Sequence, residues 1–378
     1  MQPRVAIAGA LVAITACGQI DELPPTSPLS PGSASASRGS EPGAAFTLSN
    51  SPAGNAVLVF ARSSHGALTS AGSYPTGGTG TGAGLGSQGA VTLSDDGRYL
   101  LAVNAGSNDV TAFRVHGGQL EKLNTVPSGG LMPISVTVQH GLAYVLNAGG
   151  AGGISGFTLD GSGLAPIAQS ARPLSSGASG PAQISFTPNG GALVVTEKAT
   201  NVISTYAVDA DGRATGPSIT PSVGQTPFGF AFGHNGVLIV SEAFGGAADA
   251  SAASSYSTSG GSLSVLSASV PTTETAACWF AVTPNGNFAY TTNTGSGTVT
   301  GYRVTADGRL QSLDADGITG TTGKTPLDDA ISRNGRFLYV LAAGAGAVNE
   351  FAIAADGSLT SLGSATGLPV GVIGLAVQ

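Results

Sequence analysis

Apolar and polar positions alternate along most of this chain in short bursts, without the spacing that marks one face of a helix. The stretch DDGRYLLAVNAGSNDVTAFRV, residues 95–115, holds two such bursts, and it returns as PNGNFAYTTNTGSGTVTGYRV, residues 284–304. Runs of about six residues rich in Val, Tyr, Phe and Thr, closed by Gly, Asn and Asp, predict β-strands joined by tight turns. Within residues 337–341, Phe337, Tyr339 and Leu341 fall on one face, with Leu338 and Val340 on the other. Both faces are apolar, which predicts sheets covered on both sides. Helices are expected to be almost absent.

Followed from end to end, the unit occurs seven times. The turn glycine before its second strand stands at Gly43, Gly97, Gly141, Gly190, Gly236, Gly286 and Gly335, a period of roughly 44 to 54 residues that marks a repeat architecture. Each unit reads as a short strand, a turn such as SDDG, a strand of the RYLLAVN kind, a loop, a strand such as DVTAFRV, a turn such as ADGR, and a final strand. Four antiparallel strands at this period predict a blade, so the fold class is all-β, a seven-bladed β-propeller. Asp-Gly and Asn-Gly pairs at 96–97, 189–190, 211–212, 285–286, 307–308, 334–335 and 356–357 supply the positive φ that two-residue hairpin turns require. The first unit, AAFTLSN at 44–50, matches a second strand and lacks an innermost one, while a surplus apolar strand, VGVIGLAVQ, occupies 370–378. The expectation is a ring closed by these two segments in one sheet, with no open edge.

Composition narrows the function classes. Of 378 residues 59 are glycine and only 9% are charged, which suits strands and tight turns. With a net charge of −7 and 14 Lys and Arg spread along the chain, no basic stripe exists and nucleic-acid binding is excluded. Arg4 precedes an apolar run over 5–14, too short to span a bilayer and the length of a secretory signal's apolar region. ITAC at 14–17 looks like the lipobox of bacterial lipoproteins. Residues 1–17 are therefore expected to be a signal peptide with Cys17 as the acylated residue; an ordinary cleavage site with Cys17 incidental is the other reading. Residues 18–42 lack the large apolar side chains that packing needs and read as a flexible tether, leaving 43–378 as the propeller. Such a chain is expected to be exported, lipid-anchored to the cell envelope or secreted, and to touch a membrane only through the anchor. A closed ring covers its own edges, so a monomer is expected. With Cys17 removed or acylated no intramolecular disulfide is available, and Cys278 is expected as a small buried hydrophobe.

Topology sorts the polar residues by face. Second strands end, on what we call the top, at Asn50, Asn104, Asn147, Glu197, Glu242, Asn293 and Ala342. Innermost strands start on the same side near Gln88, Ser135, Gln183, Trp279, Asp328 and Asp329, and the long loops 78–88 and 242–254 gather there. A top-face pocket over the central channel is the expected site, for a small-molecule or glycan ligand. The asparagines suit either ligand binding or capping of their own turns. Capping does not favour glutamate, so Glu197 and Glu242 stand out as catalytic candidates, with Lys198 beside them. Trp279 is either a stacking platform or packing, and one of Asp328 and Asp329 is expected to face the channel. His65, His116, His140 and His234 fall in turns at the opposite end. No triad, nucleophile elbow or transition-metal spacing is visible, and no cofactor or metal is expected.

The units LAYVLNAGG at 142–150, FAYTTNTGSGTV at 288–299 and FLYVLAAGAG at 337–346 resemble the seven-bladed lactonase propellers with YVTN-type repeats, a group that includes 6-phosphogluconolactonase and carboxymuconate cyclase relatives. The resemblance covers residues 43–378. In that family innermost strands often start with a histidine, in phrases such as PHSV or RHLAF, with arginines nearby. The corresponding stretches here are SQGAV at 87–91, PAQISF at 181–186 and PFGFAF at 227–232. Lys198 and Lys324 are the top-face cations, so a phosphorylated sugar lactone would meet little countercharge. The resemblance implies a hydrolase or lyase acting on a neutral lactone or similar cyclic ester, with Glu197 or Glu242 activating water and Lys198 and the ring amides stabilising oxyanion charge. The departure from the family pattern implies instead a non-catalytic propeller that binds a sugar, peptide or protein partner on the same face.

Overall fold

The computed structural model describes residues 43–258 and 262–378; the expected signal peptide 1–17, with Cys17, and the expected tether 18–42 lie outside the described residues. Seven sheets, each built on four antiparallel strands, surround a central axis. The innermost strands of blades 2 to 7 are Val91–Leu93, Pro133–Gln139, Pro181–Phe186, Pro227–Phe232, Ala277–Val282 and Pro326–Ile331. Blade 6 adds a short fifth strand, Gly320–Thr321, on its third strand. Among the described residues the helical segments are 3-10 turns such as His234–Gly236, Phe244–Gly246 and Ala343–Ala345.

Ring closure is as expected from the two termini. Ile373–Val377 is the innermost strand of blade 1 and pairs antiparallel with Gly43–Leu48, with Phe46 opposite Ala376 and Leu48 opposite Ile373. Arg62 clamps this seam from the third strand by donating from Nε and Nη2 to the main-chain oxygen of Gln378. Blades then stack through apolar faces, and the repeated tyrosine explains much of the motif. Tyr144, Tyr290 and Tyr339 are fully buried, and their hydroxyls donate to the main-chain oxygens of Gly212, Gly357 and Gly66, each in an outer turn of the next blade. The last of these crosses from blade 7 to blade 1. A buried hydroxyl needs such a partner, so each tyrosine fixes the angle between neighbouring blades.

The bottom turns differ in detail from the expectation. In residues 94–99 Gly97 N donates to Ser94 O, Ser94 N donates to Tyr99 O, and Gly97 has φ 68°. Asp96 is not left-handed; its Oδ1 instead accepts from Ser94 Oγ and Arg98 N. The turn is one glycine in the left-handed region after a type I bend, and the Asp or Asn serves as an acceptor.

Candidate functional site

The ring of side chains at the ends of the second strands is present, and it is buried. Asn104 donates from Nδ2 to Thr111 Oγ1 at 3.0 Å and accepts from Asn55 Nδ2 at 2.9 Å. Asn293 donates to Thr298 and Thr300. Asn147 accepts from Ser128 Oγ at 2.7 Å, and Asn50 donates to Ala83 O and Gly371 O. These amides pin the second strand to the third and to the chain arriving from the neighbouring blade.

Glu197 and Glu242 do the same work and are buried, where a water-activating base would need access to solvent. Both are 0% exposed. Glu197 accepts from Ser204 Oγ and from both the main-chain N–H and the hydroxyl of Ser175. Glu242 accepts from Gly224 N at 2.9 Å, from Ser254 Oγ and from Ser269 Oγ at 2.6 Å. Burial pushes the Glu242 carboxyl above its ordinary value, against those three donors. A carboxylate whose lone pairs are occupied by fixed donors, away from solvent, has no water to activate. Turn capping does not favour glutamate, but a buried pocket of serine hydroxyls does, and the serines were visible only as separate residues in the sequence.

The channel mouth is closed as well. Residues 84–88, on the connection from blade 1 to blade 2, cross the axis. Ser87 Oγ donates to Ile134 O of blade 3, and Gln88 N donates to Ala182 O of blade 4. Trp279 Nε1 of blade 6 donates to Ser87 O at 2.9 Å, and its ring packs 5.1 Å from Phe228. Trp279 is 2% exposed, so it holds the plug and offers no open stacking face. The space left beneath is about 10 Å³, lined by Trp279, Leu327 and Asp328 among others, which leaves room for little more than one water.

Below the plug runs a belt that accounts for Gln88, Gln183 and Asp328. Innermost strands present main-chain N–H groups to the neighbouring blade with no strand to receive them, and the preceding blade supplies a side-chain acceptor. Ser135 Oγ accepts from Ile184 N, Gln183 Oε1 from Phe230 N, and Asp328 Oδ2 from Leu375 N. In blade 5 the equivalent residue is Gly229, which has no side chain. Gln88 fills the gap from across the axis, accepting from Phe280 N at 3.0 Å and donating to Phe280 O at 2.9 Å. A Cβ on Gly229 would lie 2.2 Å from Gln88 Oε1. Replacing Gln88 by Ala strands both groups of Phe280, and a loss of about 1–3 kcal/mol in unfolding free energy is expected, measured by denaturant titration. An unchanged midpoint would remove the belt as a stabilising device.

Among the described residues a depression on the top face lies off the axis, between blades 3 and 4. Residues that follow the ring positions are small almost everywhere: Ser51, Ala105, Ala148, Ala243, Thr294 and Ala343. The exception is Lys198. Its main-chain N–H donates to Gly180 O, as Ala148 N does to Met132 O, and this turn aims the side chain inward. The ammonium lies 4.6 Å from the centre of the Phe228 ring and donates to Gly86 O of the plug. Lys198 is half-buried, and burial pushes its pKa down to about 8. Among the described residues it forms no ion pair. It borders a depression of about 370 Å³ lined also by Leu85, Ile134, Ala151, Gly152 and residues 177–181. Lys324 is exposed and is not among these lining residues, and the four histidines are exposed in or beside bottom turns. Of Glu197, Glu242 and Lys198, then, Lys198 is the one that lines a described depression. Among the described residues no group of three or more His, Cys, Asp and Glu could hold a metal ion.

Comparison with known proteins agrees with this architecture. The family described as "Lactonase, 7-bladed beta-propeller" matches residues 53–153, 163–245 and 252–373. Among solved structures, a putative 6-phosphogluconolactonase from Bacteroides fragilis is similar at 20% identity and TM-score 0.68, covering 89% of this chain and 98% of that one. A periplasmic gluconolactonase of Pseudomonas aeruginosa is similar at 18% identity and TM-score 0.66, over 88% and 99% of the two chains. A protein from Lactobacillus plantarum reaches TM-score 0.70 at 19% identity, over 89% and 99%. At such identities the likeness is one of fold. The search of curated proteins gave no match.

Proposed function

This chain belongs to the lactonase family of seven-bladed β-propellers, and from that premise we propose that it hydrolyses a small neutral lactone or similar cyclic ester in the depression beside Lys198. Membership supports a lactonase-like role at the level of the family, and the gluconolactonases among the similar structures point toward lactone rings. The observation that carries the finer reading is the Lys198 ammonium, set in a cleft without a carboxylate partner and with its pKa brought to about 8.

Lysine at that value is useful in two forms. The neutral amine, about half of the population at pH 8, accepts a proton from water as the oxygen attacks the ring carbonyl. The resulting ammonium returns a proton to the ring oxygen as it leaves, and the product carboxylic acid then passes its own proton to the neutral amine, leaving a carboxylate paired with the ammonium. A phosphorylated substrate fits poorly, because the cleft offers one cation. A second reading, ligand binding without turnover, is favoured by the closed channel and by the occupied carboxylates of Glu197 and Glu242.

Both readings pass through one experiment. Turnover of γ-butyrolactone and gluconolactone is measured from pH 6 to 9 in the wild type and in Lys198→Met. Hydrolysis that rises to a plateau with an inflection near pH 8, and falls 100-fold or more in the variant, is expected for a general base. Binding detected by calorimetry without turnover assigns the second reading. Turnover that survives Lys198→Met removes the lysine mechanism.

A further inference from the structure

A second depression adjoins the first, and it has a different chemistry. It is about 400 Å³ in volume and is walled by Leu131, Ala151, Ile154, Ala171 and Pro173 over a floor of glycines between 129 and 153. Ala151 and Gly152 line both depressions, so the two meet across a seam of small residues. Leu131 is 56% exposed, and its neighbour Met132 is 38% exposed. This exposure is built in. Met132 takes φ 53° at the entry to the innermost strand, and Leu131 O accepts from Gly149 N. A Cβ on Gly149 would come within 2.7 Å of Leu131 Cβ, so the leucine is held against the glycine loop and its outer side faces solvent.

Two of the polar side chains in this second depression are already engaged. Asn147 is bonded to Ser128 through both ends of its amide. Arg172 turns its Nη1 onto the main-chain oxygens of Gln169 and Ala171. No carboxylate lines either depression. An exposed apolar wall continuous with a polar reaction site is covered favourably by hydrocarbon.

We propose that the substrate is a lactone or cyclic ester bearing a linear aliphatic or acyl chain, with its ring beside Lys198 and its chain crossing Ala151 and Gly152 to lie against Leu131. This rests on the reading of Lys198 given above and adds the class of compound. The chain supplies binding in proportion to its length, and the shared seam sets the point at which it leaves the ring.

The test uses γ-lactones with no side chain and with unbranched chains of increasing length, bound to the wild type, Leu131→Asp and Ala151→Trp. In the wild type affinity is expected to rise about two- to fourfold per added methylene until the groove is filled. Leu131→Asp flattens that dependence while leaving the unsubstituted lactone unaffected, and Ala151→Trp, on the seam shared by both depressions, weakens the long chains more than the unsubstituted lactone. Both positions are exposed, so the variants test the groove and spare the core. Equal affinity along the series in the wild type, or an unchanged dependence in Leu131→Asp, overturns the chain site while leaving the Lys198 reading intact. Failure of every lactone to bind overturns both. Binding of apolar peptides in preference to every lactone would make the groove a protein-docking surface and likewise overturn the proposal.

Discussion

Replacing Asp329 by Leu is expected to stabilise this protein by about 2–4 kcal/mol at pH 7. Asp329 lies on the innermost strand of blade 7 opposite Val340, and Val340 belongs to the apolar cluster with Tyr290 of blade 6. By register its equivalents in other blades are Val136, Ile184, Phe230 and Phe280, all buried. Here a carboxyl group stands in a hydrophobic position, 3% exposed, with no hydrogen-bond partner on either oxygen among the described residues. Burial and the neighbouring Asp328 carboxyl together hold its pKa well above the ordinary carboxylate range.

The pH dependence follows from the sign of that shift. A carboxyl group with a raised folded-state pKa binds more protons folded than unfolded, so stability falls as pH rises from about 4 toward the folded value. For Asp328, whose pKa is pushed up to about 8, the fall runs to about pH 8, at about 1.4 kcal/mol per pH unit. Asp329 adds a second contribution of the same sign. Denaturant unfolding between pH 5 and pH 8 should therefore lose stability steadily in the wild type, and less steeply in Asp329→Leu, by about 1.4 kcal/mol per pH unit for the one carboxyl removed. Glu242 and Glu350, also raised by burial, act equally in both proteins and cancel. A variant less stable than the wild type, or an identical slope, would refute this account of Asp329.

Removing residues 373–378 should abolish the folded state. Ile373, Leu375, Ala376 and Val377 are all buried, and three of them carry large apolar side chains worth about 1.5–3 kcal/mol each. The same deletion takes the main-chain N–H from Asp328 and the main-chain oxygen from Arg62, and opens Gly43–Leu48 as a bare edge. Those losses match the whole stability of a typical domain, about 5–15 kcal/mol. No cooperative thermal transition is expected in the truncated protein, with recovery on adding a peptide of residues 370–378. A truncated chain that melts within a few degrees of the full one would show that the ring does not depend on this seam.

Much of this architecture could be read before any coordinates. The period of the turn glycines, the tyrosine of LAYVLN and FAYTTN, and the unmatched strands at 44–50 and 370–378 are properties of the chain itself. Strand pairing within a blade is local, so the sequence that makes the strand also sits beside its partner. The site was less legible. The sequence places Asn104, Glu197 and Glu242 at strand ends, as the structure does, but a buried pin and an exposed ligand group use the same residue types. One signal was available: Lys198 is the only charged residue at a position otherwise held by Ser, Ala and Thr. The groove under Leu131 had no such mark, because its floor of glycines is also what close packing against Asn147, Leu131 and Leu174 requires.

By itself the sequence determined seven four-stranded blades and the strand that joins the ends, because repeat period and alternation are one-dimensional patterns. Tertiary structure alone decided that the axis is shut and the opening lies to one side. Gln88 meets Phe280 across 192 residues only because Gly229 leaves space for it. Whether a polar side chain faces water or a neighbouring blade depends on what crosses above it, and that is set by packing between distant segments.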